Sequence, residues 1–419
     1  QGGQGYMTAS ATPDIKSLSG FVWSIAEILR GDFKQSEYGK VILPFVVMRR
    51  LDCILEPTKT AVLAAHKSLP KGVDEETQDM ILFGAAGDGI KVYNTSELTF
   101  DKLRGQDARQ LHANLIDYIR CFSPNVRDIF LEKFLFTEQL KRLNDGKILW
   151  QVFERFCEID LHPSAVTNIE MGYLFEELIR RFSEISNETA GEHFTPREVI
   201  RLIVELLIAN DDTKLTRRGI IRQIYDPACG TGGMLSESEK FIYGQNEDAN
   251  LALFGQEYNP ESWAICCADM LIKDEETSNI VLGDTLGDGK TKDGFEGQQF
   301  HYMLANPPFG VEWKDQKSGV EREHKTNGFN GRFGAGLPPI NDGSLLFLQH
   351  MISKMHAAPK DGGEGSRIAV VFNGSPLFSG DAGSGPSNIR RWIIENDWLE
   401  TVVVLPNQLF YNTEISPYL

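Results

Sequence analysis

Two short runs of this chain combine residue types that can do chemistry. The first is Asp226-Pro227-Ala228-Cys229-Gly230-Thr231-Gly232-Gly233-Met234-Leu235. It follows Ile220, Ile221, Ile224 and Tyr225, which read as a buried strand, and leads into Met234 to Phe241, which reads as a helix. A strand that ends on an acid, turns through glycines and opens a helix suits a nucleotide-like ligand. Glycines let the backbone bend and approach closely, and the first turn of a helix offers unpaired N–H groups. The second run, eighty residues on, is Asn306-Pro307-Pro308-Phe309, after the strand-like His301 to Ala305. Two prolines fix the backbone there. The Asn306 side-chain oxygen and the Pro307 carbonyl can both accept hydrogen bonds from a planar –NH₂ group, and Phe309 can stack on an aromatic base. Held this way, the amine is drawn toward tetrahedral geometry and its lone pair becomes available. An electrophilic methyl donor then needs no general base before attack. The two runs, in this order, point to methyl transfer from S-adenosylmethionine to an amino nitrogen.

Further residues fall into place around that reading. Glu257 ends the next strand, Phe254-Gly255-Gln256-Glu257, thirty-one residues past Asp226, where an acid can hydrogen-bond a ribose diol. Asp284 follows a third strand in Leu282-Gly283-Asp284-Thr285, where it can accept from an adenine amino group. Upstream lies Gly191-Glu192-His193-Phe194-Thr195-Pro196-Arg197. Thr195 reads as the N-cap of a helix running from Glu198 to Ile208, with Pro196 at its first position. Phe194 could lie over the cofactor, with the Thr195 hydroxyl near its carboxylate. The plainer alternatives are solvated acids at strand ends, an ordinary strand-exit turn at Asn306 and a capped helix start at Thr195. His193 has no step to perform in the chemistry proposed.

These residues need a scaffold that brings strand ends together. From residue 220 the pattern alternates strand and helix. Strands read at 220–226, 252–257, 279–283, 300–305, 367–372 and 401–405, and helices at 233–242, 260–272, 343–356 and 387–396. This predicts an α/β fold, a doubly wound and mostly parallel sheet of the Rossmann-like kind, with the acids converging at its C-terminal edge. The Gly-, Asn- and Lys-rich stretch 310–341 reads as structureless, hence functional or mobile. Residues 10–165 read as an all-helical N-terminal domain: Phe21, Ile25, Ile28 and Leu29 recur at helical spacing, as do Ile148, Val152, Phe153 and Phe156. Pro44 should begin or kink a segment within 39–55. The domains expected are thus 10–165, helical, and 166–419, carrying the methyltransferase chemistry. Residues 1–9, with their Gln-Gly-Gly-Gln-Gly-Tyr opening, read as a cloning scar and disordered start.

The chain has 419 residues, 41% hydrophobic and 24% charged, with no apolar run long enough to span a bilayer and no signal peptide. No membrane partner is expected. The six cysteines, at 53, 121, 157, 229, 266 and 267, show no C-x-x-C spacing, which argues against zinc and fits a reducing cytoplasm. The net charge of −17 conflicts with a protein that holds nucleic acid alone, because phosphate binding needs a positive field. Either nucleic acid is not the substrate or a partner makes much of the phosphate contact.

Taken together the motifs resemble the modification (M) subunit of type I restriction-modification systems, a family of adenine-N6 DNA methyltransferases. The likeness rests on residues 191–197, 226–235, Gly255-Gln256-Glu257, Gly283-Asp284-Thr285-Leu286, 306–309, Asp342 to His350 and Val402 to Phe410, and on Tyr38 to Phe45 in the helical region. The first motif lies upstream of the glycine turn, the permutation of the gamma class. The resemblance implies a SAM-dependent methyltransferase domain whose cofactor site takes in Phe194, Thr195, Pro196, Asp226, Pro227, Ala228, Gly230, Thr231, Gly232 and Glu257, with Asp284 and Leu286 at the cofactor's adenine. It implies that Asn306, Pro307, Pro308 and Phe309 hold a target adenine flipped out of double-stranded DNA. It further implies a separate specificity (S) subunit that reads the sequence, a second M subunit and a restriction (R) subunit that can join, which would reconcile the acidic charge with a DNA substrate. The family continues past the 402–405 strand, so the methyltransferase domain is expected to be truncated at its C-terminal end.

Three rivals remain at this stage. A methyltransferase acting on a protein glutamine amide also uses Asn-Pro-Pro, but without the long helical region. An NAD-dependent oxidoreductase needs a third glycine where Leu235 stands. A non-catalytic SAM-binding scaffold would not require Asn306.

Overall fold

The computed structural model describes residues 15–87, 89–185, 195–209, 211, 219–273, 275–289, 292–308, 310–407 and 417–419. The chain divides into two compact units, one of residues up to 188 with 267–277, the other of 189–266 with 278–419.

The first unit is helical among its described residues. Its longest helices are Tyr38–Leu55 and Asn168–Ile185. Pro44 lies inside the Tyr38–Leu55 helix instead of beginning a segment. The lost N–H bond is outweighed by packing, because Val41 to Met48 are all buried. Aromatics fill the core: Phe45 stacks on Phe156 with ring centres 4.9 Å apart and meets Phe136 edge-on at 5.1 Å. Arg50 is fully buried on the same helix and donates to the carbonyl oxygens of Leu161 and Val166 and to Asn168 Oδ1. Asp52, two residues on, accepts from Tyr118 Oη at 2.8 Å, Phe100 N at 3.2 Å and Arg49 Nη1 at 3.3 Å.

The second unit is built on a parallel five-stranded sheet in the order β3-β2-β1-β4-β5. The strands are β1 (Ile221–Asp226), β2 (Asn250–Glu257), β3 (Ile280–Leu282), β4 (Tyr302–Ala305) and β5 (Arg367–Val370). The order reverses between β1 and β4, which opens a crevice at their C-terminal ends. Tyr225, Phe254, Phe295, Phe300 and Met303 form a buried cluster beneath that end. The Arg197–Ile208 helix buries Val199, Ile200, Ile203, Val204 and Leu207, one face at helical spacing, and packs against the Gly233–Gln245 helix, β4 and β5.

Two expectations change here. The 401–405 strand is reduced to one antiparallel bridge, Val404 with Tyr418, which in turn bridges Phe372. The 310–341 stretch is folded: it contains the Lys317–Asn327 helix, and Trp313, Val320 and Phe333 are buried with Leu286 and Leu346 in a core of their own.

Candidate active site

The C-terminal edge of the sheet collects the residues singled out above. Asp226 closes β1 and pairs in register with Gly255; Glu257 closes β2 and pairs with Leu282; Asp284 lies two residues past β3; Asn306 follows β4 directly. Across the edge the order is therefore Asp284, Glu257, Asp226, Asn306.

The turn after β1 is held close to β2. Cys229 N donates to Gln256 O at 3.0 Å, and Gly230 N donates to Glu257 Oε2 at 2.8 Å. Gly230 and Gly232 have φ of +54° and +86°, where a side chain would be strained. A Cβ on Gly255 would lie 2.9 Å from Cys229 Sγ, so that approach also requires glycine. Gly232 is the N-cap residue of the Gly233–Gln245 helix and provides no side-chain cap, so that helix begins directly after the turn that leaves β1. Pro227 O accepts from Thr285 Oγ1 at 2.5 Å, which ties the turn to the segment after β3. Ala228 and Thr231 are half-buried along the turn, while Pro227 and Gly232 are buried.

The acids differ in their surroundings. Asp226 is 1% exposed, and among the described residues its carboxylate accepts one hydrogen bond, from Ala228 N at 2.9 Å. Burial pushes it up to about 8, with nearby Glu257 adding to the rise. Glu257 is also raised, chiefly by burial, although Asn259 N and Gly230 N donate to it. Asp284 accepts from Leu286 N at 3.0 Å and from Gln316 Nε2 at 2.6 Å. The Leu286 side chain points into the core formed with Trp313 and Phe333.

At the β4 end, Pro307 is buried and Pro308 half-buried. Asn306 Nδ2 donates to Thr195 Oγ1 at 2.8 Å. Asn306 Oδ1 is buried and, among the described residues, accepts no hydrogen bond. Such an acceptor carries a desolvation cost of roughly 1–3 kcal/mol until a donor reaches it. Thr195 does not cap the following helix with its side chain: that helix begins at Arg197 with Pro196 as N-cap and no side-chain capping bond. The hydroxyl is turned to Asn306 instead. Phe194 and Phe309 lie outside the described residues, as do Gly191 to His193.

Three contributors were not singled out from sequence. Gln256 is fully buried, and its amide accepts from Gly294 N and donates to Lys292 O. Gln316 reaches Asp284 from the 310–341 segment. Arg332, paired with Glu323, donates to Thr285 O at 2.7 Å. Gln256 lies within the Gly255-Gln256-Glu257 motif but was given no role of its own; the other two carry no local signal. A cavity of about 1180 Å³ elsewhere in this unit is lined by Asp288, Arg322, Phe329, Trp392 and Trp398 and by none of the strand-end acids. Convergent polar groups, not cavity size, therefore mark the site. Among the described residues no cluster of His, Cys, Asp and Glu could hold a metal, and no helix is long and apolar enough to cross a membrane.

Comparison with known proteins gives a consistent picture. Residues 167–419 match the family model described as N-6 DNA Methylase, and residues 18–156 match that of the HsdM N-terminal domain. The chain is similar to the type I restriction enzyme HindI methylase subunit of Haemophilus influenzae, 29% identical over 247 residues, which covers 58% of this chain and 49% of that protein. It is 24% identical over 416 residues to the MjaIX methylase subunit of Methanocaldococcus jannaschii, covering 96% and 68%. The EcoKI methylase subunit of Escherichia coli is 28% identical over 259 residues, covering 58% and 42%. The chain thus spans about half the length of the first and third of these relatives. Among solved structures, the type I restriction-modification methyltransferase subunit from Streptococcus thermophilus superposes with a TM-score of 0.73 at 22% identity, over 97% of this chain and 84% of that one. That likeness supports the fold.

Proposed function

The chain belongs to the N-6 DNA methylase family, and on that premise we propose that it methylates the N6 amino group of adenine in DNA as the modification subunit of a type I restriction-modification complex. The observation that carries this is the buried Asn306 Oδ1 at the end of β4, which has no partner among the described residues. An unmet acceptor beside the Pro307 carbonyl is what an exocyclic –NH₂ would satisfy, and Phe309 would stack on its ring.

The residues of the crevice fit S-adenosylmethionine. The positive-φ glycines at 230 and 232 give a ligand close access to the backbone. Glu257 retains lone pairs for a ribose diol, Asp284 for an adenine amine, and Asp226 has acceptor capacity left beside its single bond. When bound, this cofactor supplies an electrophilic methyl group. The protein's own contribution is to hold the acceptor amine, exclude water behind Pro307 and Pro308, and provide oxygens that bond more strongly as the nitrogen gains positive charge.

The target base must leave the duplex, because N6 lies inside the paired stack. With a net charge of −17 the chain is poorly suited to capture the duplex unaided. Sequence reading is accordingly assigned to a separate specificity subunit, with a second modification subunit and, for cleavage, a restriction subunit in the assembly. The relatives named above are methylase subunits of type I restriction enzymes, which supports this reading.

The test is transfer of labelled methyl from S-adenosylmethionine to duplex DNA by the chain assembled with its specificity subunit, with N6-methyladenine identified in the digest. A label found on protein glutamine, or cofactor binding with no transfer, would replace this reading with one of its rivals.

A further inference from the structure

We infer that Thr195 is a positioning residue for Asn306: its hydroxyl fixes the side-chain amide so that Oδ1, not Nδ2, faces the acceptor amine. This rests on the function proposed above.

The terminal torsion of asparagine is broad and roughly two-fold, so packing alone does not choose between the two amide orientations. The choice decides the chemistry. With Oδ1 toward the amine, Asn306 accepts a hydrogen bond and stabilises the nitrogen as it becomes positive. With Nδ2 toward it, two N–H donors oppose each other. In the structure Nδ2 is engaged by Thr195 Oγ1 at 2.8 Å, and Oδ1 is the atom left buried and unpartnered.

Thr195 is well placed for this. A residue before proline is restricted to extended backbone. Pro196 then caps the Arg197–Ile208 helix, and its carbonyl accepts from Val199 N and Ile200 N at 3.0 Å each. That helix packs directly on β4, the strand that delivers Asn306. The two partners, 111 residues apart in sequence, are therefore carried on elements in contact with each other. A hydroxyl has one donor and two acceptor sites, so accepting from Asn306 leaves its own hydrogen able to bond elsewhere.

The experiment uses Thr195→Val, which keeps the shape and loses the acceptor, and Thr195→Ser, which keeps the hydroxyl. Three quantities are read: kcat in the assembled complex, S-adenosylmethionine affinity of the chain by calorimetry, and the side-chain Nδ2 resonance of Asn306 in protein labelled with ¹⁵N-asparagine. Thr195→Val should lower kcat about tenfold, with cofactor affinity unchanged, and should shift the Asn306 resonance. Thr195→Ser should restore both, and Thr195→Val should have no further effect on an Asn306→Ala background. An unshifted resonance, or a normal kcat in Thr195→Val, would overturn the inference. So would a loss of cofactor affinity alone, which would place Thr195 at the cofactor instead. A wild-type complex that transfers no methyl group would overturn the proposed function, while the resonance would still decide the Thr195 contact.

Discussion

Each unit of this protein buries an aspartate, and the two are furnished in opposite ways. Asp52, in the helical unit, is surrounded by Tyr118 Oη, Phe100 N and Arg49 Nη1. Asp226, at the end of β1, receives Ala228 N alone among the described residues. Burial raises both above the usual carboxylate range. The donors around Asp52 hold the Tyr38–Leu55 helix to the elements carrying Phe100 and Tyr118, so its hydrogen bonds are used up in architecture. Asp226 keeps capacity in hand, as does Asn306 Oδ1 at the neighbouring strand end. Polar groups buried without full satisfaction are expected where a ligand completes them.

The sharpest way to break that contrast is at Asn306. Asn306→Ala should reduce methyl transfer by roughly a hundred- to a thousandfold, about 2.7–4 kcal/mol of transition-state stabilisation, and leave cofactor affinity nearly unchanged. Rates in the assembled complex and calorimetry on the chain measure the two separately. A normal rate would remove Asn306 from the chemistry.

Paired Asp→Asn substitutions test the comparison itself. Asp226→Asn should weaken S-adenosylmethionine by roughly ten- to a hundredfold, the range for losing a charge-assisted hydrogen bond. The pH dependence has a defined sign. Free Asp226 stays protonated up to about 8, and a cationic cofactor favours its ionised form, so wild-type affinity should improve as pH rises toward about 8 and then level. The asparagine variant should lose that slope. Folding runs the other way. Between about 4 and about 8 the native acid holds a proton that the unfolded one has lost, so stability falls as pH rises through this window, and Asp226→Asn should abolish that fall.

Asp52→Asn should show the reverse profile. It presents an amide donor where Phe100 N now finds an acceptor, so the helical unit should lose about 1–2 kcal/mol of stability in chemical denaturation while cofactor affinity holds. If Asp52→Asn weakened the cofactor as much as Asp226→Asn does, the division between architectural and ligand-directed burial would fail.

The same distinction explains what could be read from the sequence. The β1 turn, Glu257, Asp284 and Asn306 were legible because each sits at a strand end, where an apolar run stops and a glycine or proline lies close by. Gln316 and Arg332 were not. The Lys317–Asn327 helix that lies between them buries only Gly319 and Val320, so it carries no apolar stripe to betray a helix. The core beneath it borrows Leu286 and Leu346 from distant parts of the chain. The 401–405 run has strand propensity, yet pairing depends on a neighbour, and among the described residues it meets the three-residue segment 417–419, with Val403 bonded to Leu419 and Leu405 N donating to Pro417 O. Thr195 stood in a sound capping pattern; its hydroxyl was claimed by a partner 111 residues away, which no local rule anticipates.

The smallest effects are expected on the surface of the 311–333 segment, and they bear on how an acidic protein could work on DNA. Its cations are mostly taken up by acids: Lys317 pairs with Glu321, Arg322 with Asp288 and Arg332 with Glu323. A cation already neutralised by a neighbouring carboxylate releases few counterions on meeting a phosphate. The isolated chain should therefore bind duplex DNA without sequence preference, at dissociation constants of roughly 10⁻⁴–10⁻⁶ M in physiological salt. Arg322→Ala should change that affinity by less than about threefold, since a cation held by Asp288 has little phosphate contact to lose. Lys314→Ala, whose charge has no carboxylate partner among the described residues, should have the larger effect of the two. Gel shifts across a salt series with unrelated duplexes measure both. Tight, sequence-selective binding by this chain alone would place DNA reading within it. A large loss from Arg322→Ala would mean that the Asp288 pair opens on DNA, and the segment would then have to be counted with Asp226 and Asn306 as ligand-directed.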